Sequence, residues 1–288
     1  FFSDCSFLRN VAIIISTSPT RTLFSLITCA QIIEKRRLET SFLSAFLPPP
    51  PSGVAISPPM NTITTPNSIP LATLSIIALC TIIHVIIFVA DSPLTSLSLT
   101  PISILYMRPP QLYRCLTATF THGSWSHLIM NMSSSLYLTR GLESRMGTLA
   151  TFYLIFLCAF ACSFIHVVLA YLPYLVASRT KYILQPSVGY SACLFAYLVL
   201  TPPSGSLPSQ MPQGLYPYLL LVGIQVILPN ISFLGHVSGC VAGELIKAGW
   251  LGVPGGSFWR WADARCPDRI AGLQGFLKCP QNFEVLAE

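Results

Sequence analysis

Charge is what this chain has least of. Lys, Arg, Asp and Glu make up 9% of its 288 residues, against about 25% in soluble domains, and that deficit points to a polytopic membrane protein. Between residues 60 and 250 there are ten such residues, gathered between apolar runs rather than within them. Acid is scarcer still. The only aspartate in that region is Asp91, in a loop, so chemistry needing two membrane-embedded aspartates is excluded. No histidine is followed by glutamate, which removes the HExxH zinc site. No Cys-x-x-Cys occurs, and with it goes the main signature of a metal or redox centre. No metal and no cofactor are expected.

What is present is apolar. Hydrophobic residues are 52% of the chain and mean hydropathy is +0.65. Of ten cysteines, six (Cys80, Cys115, Cys158, Cys162, Cys193 and Cys240) lie in or beside apolar runs, where cysteine behaves as a small buried hydrophobe. The net charge of +6 is first a statement about topology, so no nucleic-acid partner is expected.

Residues 1–59 differ from the rest. No methionine precedes Met60, and Pro48 to Pro51 interrupt any helix. The expectation is an upstream segment, disordered or misassigned. The rival reading is an organelle presequence, since Arg9, Arg21, Lys35, Arg36 and Arg37 outnumber Asp4, Glu34 and Glu39. Residues 60–250 form the main domain and 251–288 a cytosolic tail, in which Trp259 and Trp261 flank Arg260 in a pattern typical of the membrane interface.

Six spans are expected, at 70–90, 125–139, 147–171, 187–201, 214–229 and 231–249. His84, inside the first, reads as a satisfied helix histidine rather than a ligand. The long loop 91–123 is of a kind that is usually functional or membrane-embedded. Gly235, Gly239 and Gly243 recur every four residues in the last span, a spacing that lets a neighbouring helix approach closely. With a cytosolic N-terminus, the inner side holds seven Lys and Arg (Arg140, Arg145, Lys247, Arg260, Arg265, Arg269, Lys278) and the outer side four (Arg108, Arg114, Arg179, Lys181). That agrees with the positive-inside rule. Ser191, His127 and His236 then share the outer end of three helices.

A serine and a histidine at the ends of apolar helices need a use, because the bilayer supplies no partners. The use this pattern allows is a nucleophile, Ser191, with His236 as its general base. Glu143 and Glu244 are the remaining carboxylates, and Glu244 lies eight residues past His236, about 12 Å along the helix. A Ser–His dyad without an acidic partner follows. His127 and Asn131, four apart, share a helix face and can both donate to an oxyanion, with the Ser191 amide as a third donor. The bland alternative is that His127 and Asn131 only bond their loop.

These residues resemble the motifs of the rhomboid family of intramembrane serine proteases across about residues 70–250. His127-x-x-x-Asn131 with upstream His122 resembles its HxxxN element, Glu143-Ser-Arg145-Met-Gly147 its ExRxG, and Gly189-Tyr-Ser191-Ala192 its GxSG. Gly235-His236-x-x-Gly239 is similar to the element carrying its base, and Tyr113-Arg114 to its Trp-Arg. The flanking sequences are most similar to the six-span endoplasmic-reticulum branch, that of the rhomboid domain-containing protein 1 type. The resemblance implies an all-α membrane protein of the six-transmembrane-helix rhomboid fold. It implies Ser191 and His236 as catalytic residues and His127 and Asn131 at the oxyanion, with His122 assisting that hole or supporting its loop. Gly189, Phe195 and Gly239 are supporting residues, Phe195 being the aromatic on which His236 packs. Glu143 and Arg145 bond the loop between the first two spans or the cytosolic helix ends. Two departures are Tyr113 for tryptophan and Ala192 for glycine, the latter narrowing the site.

The implied function is cleavage of single-span membrane proteins near the outer end of their transmembrane helix, within the lipid bilayer of the endoplasmic reticulum or another endomembrane. Helix-weakening residues and a small side chain at the cut are the implied preferences. The other reading is a catalytically inactive rhomboid-like protein that binds membrane clients for trafficking or degradation. Inactive relatives usually lose the serine or the histidine, and here both are present. A transporter or channel would need a charged path through the spans, which is missing. No oligomeric state is read from the sequence.

Overall fold

The computed structural model describes residues 68–202, 211–229, 231–283 and 285. The chain partitions into two units, Phe1–Pro58 and Pro59–Glu288, and every statement below concerns the second. The expectation for residues 1–59 lies outside the described residues.

Among the described residues the structure is helical, with a single antiparallel bridge between Leu99 and Ser187 as its only β-pairing. Helices α1 (Leu71–Val89), α4 (Trp125–Met146), α5 (Thr148–Ala177), α7 (Ser191–Leu200), α8 (Tyr216–Ile227) and α9 (Phe233–Lys247) fall on the six expected apolar stretches. The long loop contains α2 (Pro101–Leu105) and α3 (Arg114–Phe120); α6 (Thr180–Leu184) precedes α7, and α10 (Gly256–Asp263) and α11 (Asp268–Ala271) follow α9. Two helices, α1 and α5, are long and apolar enough to cross a membrane. The others differ from full spans for visible reasons: α4 carries Arg140, Glu143 and Arg145 in its last turns, and α7 has ten residues.

The helices are inside-out relative to those of a soluble bundle. In α1 the buried positions Ala72, Ile76, Cys80 and His84 recur every four residues, and the large apolar Ile82, Ile86 and Phe88 are exposed. In α5 the buried set is rich in small residues (Ala150, Cys158, Ala159, Cys162, Ala170), while Phe156, Phe160 and Phe164 form an exposed stripe. Small residues inward and bulky apolar ones outward are what helix packing within lipid favours. At the centre stands α7, buried from Cys193 to Leu200.

The end of the bundle far from Ser191 is tied by one carboxylate. Glu143, fully buried, accepts from the backbone N–H groups of Ala72 and Thr73 (both 2.8 Å), from Thr73 Oγ1 (2.9 Å) and from Thr148 Oγ1 (2.7 Å). It thereby satisfies the open first turn of α1, which has no capping side chain of its own. Of the two expected roles for Glu143, bonding helix ends is the one observed. The tail joins this end. Thr148 donates its backbone N–H to Leu277 O at 2.7 Å, and Leu71 donates to Gly275 O at 2.8 Å. The Asp263 carboxylate accepts from the Cys279 backbone N–H, and buried Trp259 donates Nε1–H to Pro254 O at 2.8 Å. The tail is therefore part of the same packed unit.

Candidate active site

The site is assembled by the long loop and the short segment before α7. Leu99 and Ser187 exchange two backbone hydrogen bonds of 2.9 Å, and Gly189 N–H donates to Ala118 O at 2.9 Å. These bonds pin 187–189 against the loop. Arg114, buried, braces that loop from inside by donating to Thr95 O (2.6 Å), Ser98 O (2.7 Å) and the Gln111 side-chain oxygen. Tyr113 is exposed; its hydroxyl donates to Ser96 O at 3.4 Å and its ring lies 5.5 Å from the Arg114 guanidinium, so most of the bracing falls to the arginine.

Gly189 has φ +119°, and a Cβ there would lie 2.6 Å from the His127 imidazole. Only glycine tolerates both conditions. The turn delivers Ser191 to the first position of α7, where its amide has no partner within the helix. Behind it Tyr190 is fully buried, stacked on Phe120 (6.3 Å between centroids) and joined to the Tyr197 hydroxyl at 2.8 Å.

His236 arrives from α9, whose N-terminus is capped by Ser232 accepting from Gly235 N–H. Its Nε2 is 3.0 Å from Ser191 Oγ, although the two residues are 45 positions apart. The Phe195 ring lies 4.7 Å from the imidazole, tilted by 33°. The close approach that sets this distance occurs at Gly239, where a Cβ would fall 2.1 Å from the Ala192 carbonyl oxygen. The glycine ridge of α9 thus faces α7, and Ala192 is accommodated half-buried beside it. His236 Nδ1 is buried with no hydrogen-bond partner among the described residues. The two candidate carboxylates are engaged elsewhere, Glu244 by the Tyr218 hydroxyl and Glu143 by its helix-end donors.

The α4 residues come to the same end of the bundle, with the His127 ring against Gly189, two positions before Ser191. Ser124 caps α4 by accepting from His127 N–H, and Asn131 Nδ2 donates to His127 O at 2.9 Å. One Asn131 N–H remains for another acceptor. His122 is buried with its ring 5.2 Å from that of His127, edge to face, and neither ring nitrogen has a partner among the described residues. All eight residues singled out in the sequence converge on this end of the bundle. His84 was not among them. Its Nδ1 is 3.1 Å from His122 O, and its ring meets Trp125 edge to face at 4.6 Å, so α1 holds the turn that carries His122. The available signal was its position on the buried four-residue stripe of α1.

Among the described residues, the structure is a helical bundle with a serine and a histidine in hydrogen-bond contact at one end. The Rhomboid domain profile matches residues 109–252, half of the chain, and the chain belongs to the rhomboid family. It is 28% identical over 205 residues to Rhomboid-like protein 15 of Arabidopsis thaliana, covering 67% of this chain and 50% of that protein. It is 26% identical over 141 residues to Rhomboid-type serine protease 2 of Yarrowia lipolytica, covering 46% and 45% respectively. Identity to Rhomboid-like protein 14, mitochondrial, of Arabidopsis thaliana is 29% over 145 residues, covering 48% and 43%. The chain spans about half the length of these curated relatives. Family and apolar helices together make it an integral membrane protein.

Proposed function

We propose that this protein is an intramembrane serine endopeptidase with a Ser191–His236 dyad, set in a six-span bundle. The observation that carries the reading is the 3.0 Å contact between Ser191 Oγ and His236 Nε2. With its hydrogen on Nδ1, the imidazole accepts the serine proton at Nε2 as Oγ attacks the scissile carbonyl carbon. The negative charge developing on the carbonyl oxygen is met by the Ser191 amide, the free Asn131 N–H and the His127 ring. The imidazolium then protonates the leaving amine, and water releases the acyl group by the same steps in reverse. Phe195 holds the ring plane, a task that a carboxylate performs in a triad.

The substrates proposed are single-span membrane proteins. Helix α7, about 15 Å long at 1.5 Å per residue, is half the ~30 Å hydrocarbon thickness. Ser191 then lies below the membrane surface, and a substrate helix must unwind locally to present a carbonyl there. The similarity of the flanking motifs to the endoplasmic-reticulum branch favours an endomembrane location. A second reading, client binding without cleavage, draws on Ala192 after the nucleophile and on the unpartnered His236 Nδ1. Incubation of the protein in proteoliposomes with a single-span model substrate separates the two. Cleavage by wild type that vanishes in Ser191→Ala and in His236→Ala supports the protease. Binding without cleavage by folded wild type sinks it.

A further inference from the structure

Helix α10 has two aromatic faces, and the fold uses one of them. Trp259 and Asp263, four apart, point to the bundle and are buried; Phe258 and Trp261 lie on the other side, 45% and 52% exposed. Their rings stack on each other at 5.8 Å between centroids. Trp250, between α9 and α10, is 81% exposed. An outward aromatic face that no element among the described residues covers needs an occupant.

Three observations choose it. The first is continuity. Tyr153 donates its hydroxyl to Gly252 O at 2.9 Å, and its ring lies 5.5 Å from Trp259, so α10 rests against the beginning of α5. From Tyr153 the exposed stripe Phe156, Phe160 and Phe164 runs along α5, one of the two helices fit to cross a membrane. Helix α10 therefore sits at the end of that stripe. The second is charge. Arg140, Lys247, Arg265, Arg269 and Lys278 are exposed at this end, against exposed Asp268 and Glu244. The third is the Arg265 guanidinium, which lies over the Trp261 ring at 4.3 Å. Apart from Nη1, which donates to Trp261 O at 3.4 Å, its N–H groups have no partner among the described residues and can meet an anion while the ring sits among apolar neighbours.

We propose that Phe258, Trp261 and Trp250 seat in the headgroup layer of an anionic phospholipid bilayer, with Arg265 meeting lipid phosphate. Tryptophan suits that depth because its body is apolar and its N–H is polar. Basic residues near it gain from the anionic leaflet. The tail is then a surface anchor as well as the clasp on the end of the bundle, whether or not the protein cleaves anything.

The test uses the full chain in nanodiscs of phosphatidylcholine and phosphatidylserine. The emission difference between wild type and Trp261→Phe isolates Trp261, a conservative change at an exposed position. Lipids brominated near the headgroup should quench that difference several-fold more than lipids brominated at the chain ends, and aqueous iodide should quench it weakly. Removing phosphatidylserine, or Arg265→Ala, should increase iodide quenching. Quenching by iodide as complete as for free tryptophan would overturn the proposal. So would shielding from iodide with no effect of brominated lipid at any depth, which would put protein or a second copy there. Iodide quenching that is the same in neutral and anionic lipid would overturn the phosphate contact.

Discussion

His236 meets Ser191 through Nε2 at 3.0 Å while its Nδ1 meets no carboxylate among the described residues, where Glu244 bonds Tyr218 and Glu143 is saturated at the far end of the bundle. The two glutamates should therefore behave differently from a triad member and from each other. Glu244→Gln should leave cleavage within a few-fold of wild type. Glu143→Gln should lower stability, since an amide turns donors toward groups that are themselves donors, and each such buried mismatch costs about 1–3 kcal/mol. Turnover per folded molecule and melting temperature, taken on the same samples, check both. A folded Glu244→Gln enzyme as inactive as His236→Ala would show that an acid does act on the histidine.

The oxyanion side should respond in rate before stability. Removing one such donor costs roughly 10²–10³ in turnover, and Asn131→Ala and His127→Ala are each expected in that range with modest loss of stability. If these residues only fasten their loop, the melting temperature falls first and specific activity of the folded fraction stays unchanged.

Helix packing beside the dyad gives a paired test. At Gly239 a Cβ would overlap the Ala192 carbonyl at 2.1 Å, whereas at Gly141 nothing lies within 4 Å. Gly239→Ala forces α7 and α9 apart, with overpacking costing about 1–3 kcal/mol, and should lower turnover by moving His236. Gly141→Ala, within α4, should be neutral or stabilising by roughly 0.5–1 kcal/mol. Equal effects from the two would mean that the glycine ridge does not set the dyad distance.

His84 offers a test at longer range. Its bond to His122 O is a link between α1 and the turn before α4. His84→Ala should reduce turnover through a looser turn, and His84→Gln, which can still reach the carbonyl, should restore part of it. Full activity in His84→Ala would reduce the contact to packing.

These examples show what the sequence could and could not reveal. Ser191, His236, His127 and Asn131 stood out because few other polar groups stand in the apolar runs, and the structure brings them to one end of the bundle. Gly239 was legible from its four-residue repeat, and its partner, α7, was not, since spacing names a ridge without naming what it meets. The Leu99–Ser187 bridge pairs two stretches of backbone and the His84 imidazole meets a backbone carbonyl, so no side-chain pattern names either partner across those separations. The ties of the tail to Leu71 and Thr148 were not legible because the tail makes them with its own backbone groups.

The nucleophilicity of Ser191 is the claim on which the rest depends, and a fluorophosphonate probe reads it directly without any knowledge of the substrate. Purified wild type in lipid should take up the probe covalently in a time-dependent manner. Ser191→Ala should take up none, and His236→Ala should be slowed by orders of magnitude because the hydroxyl loses its base. Equal labelling of wild type and Ser191→Ala, or no labelling of folded wild type, would contradict the Ser191–His236 assignment.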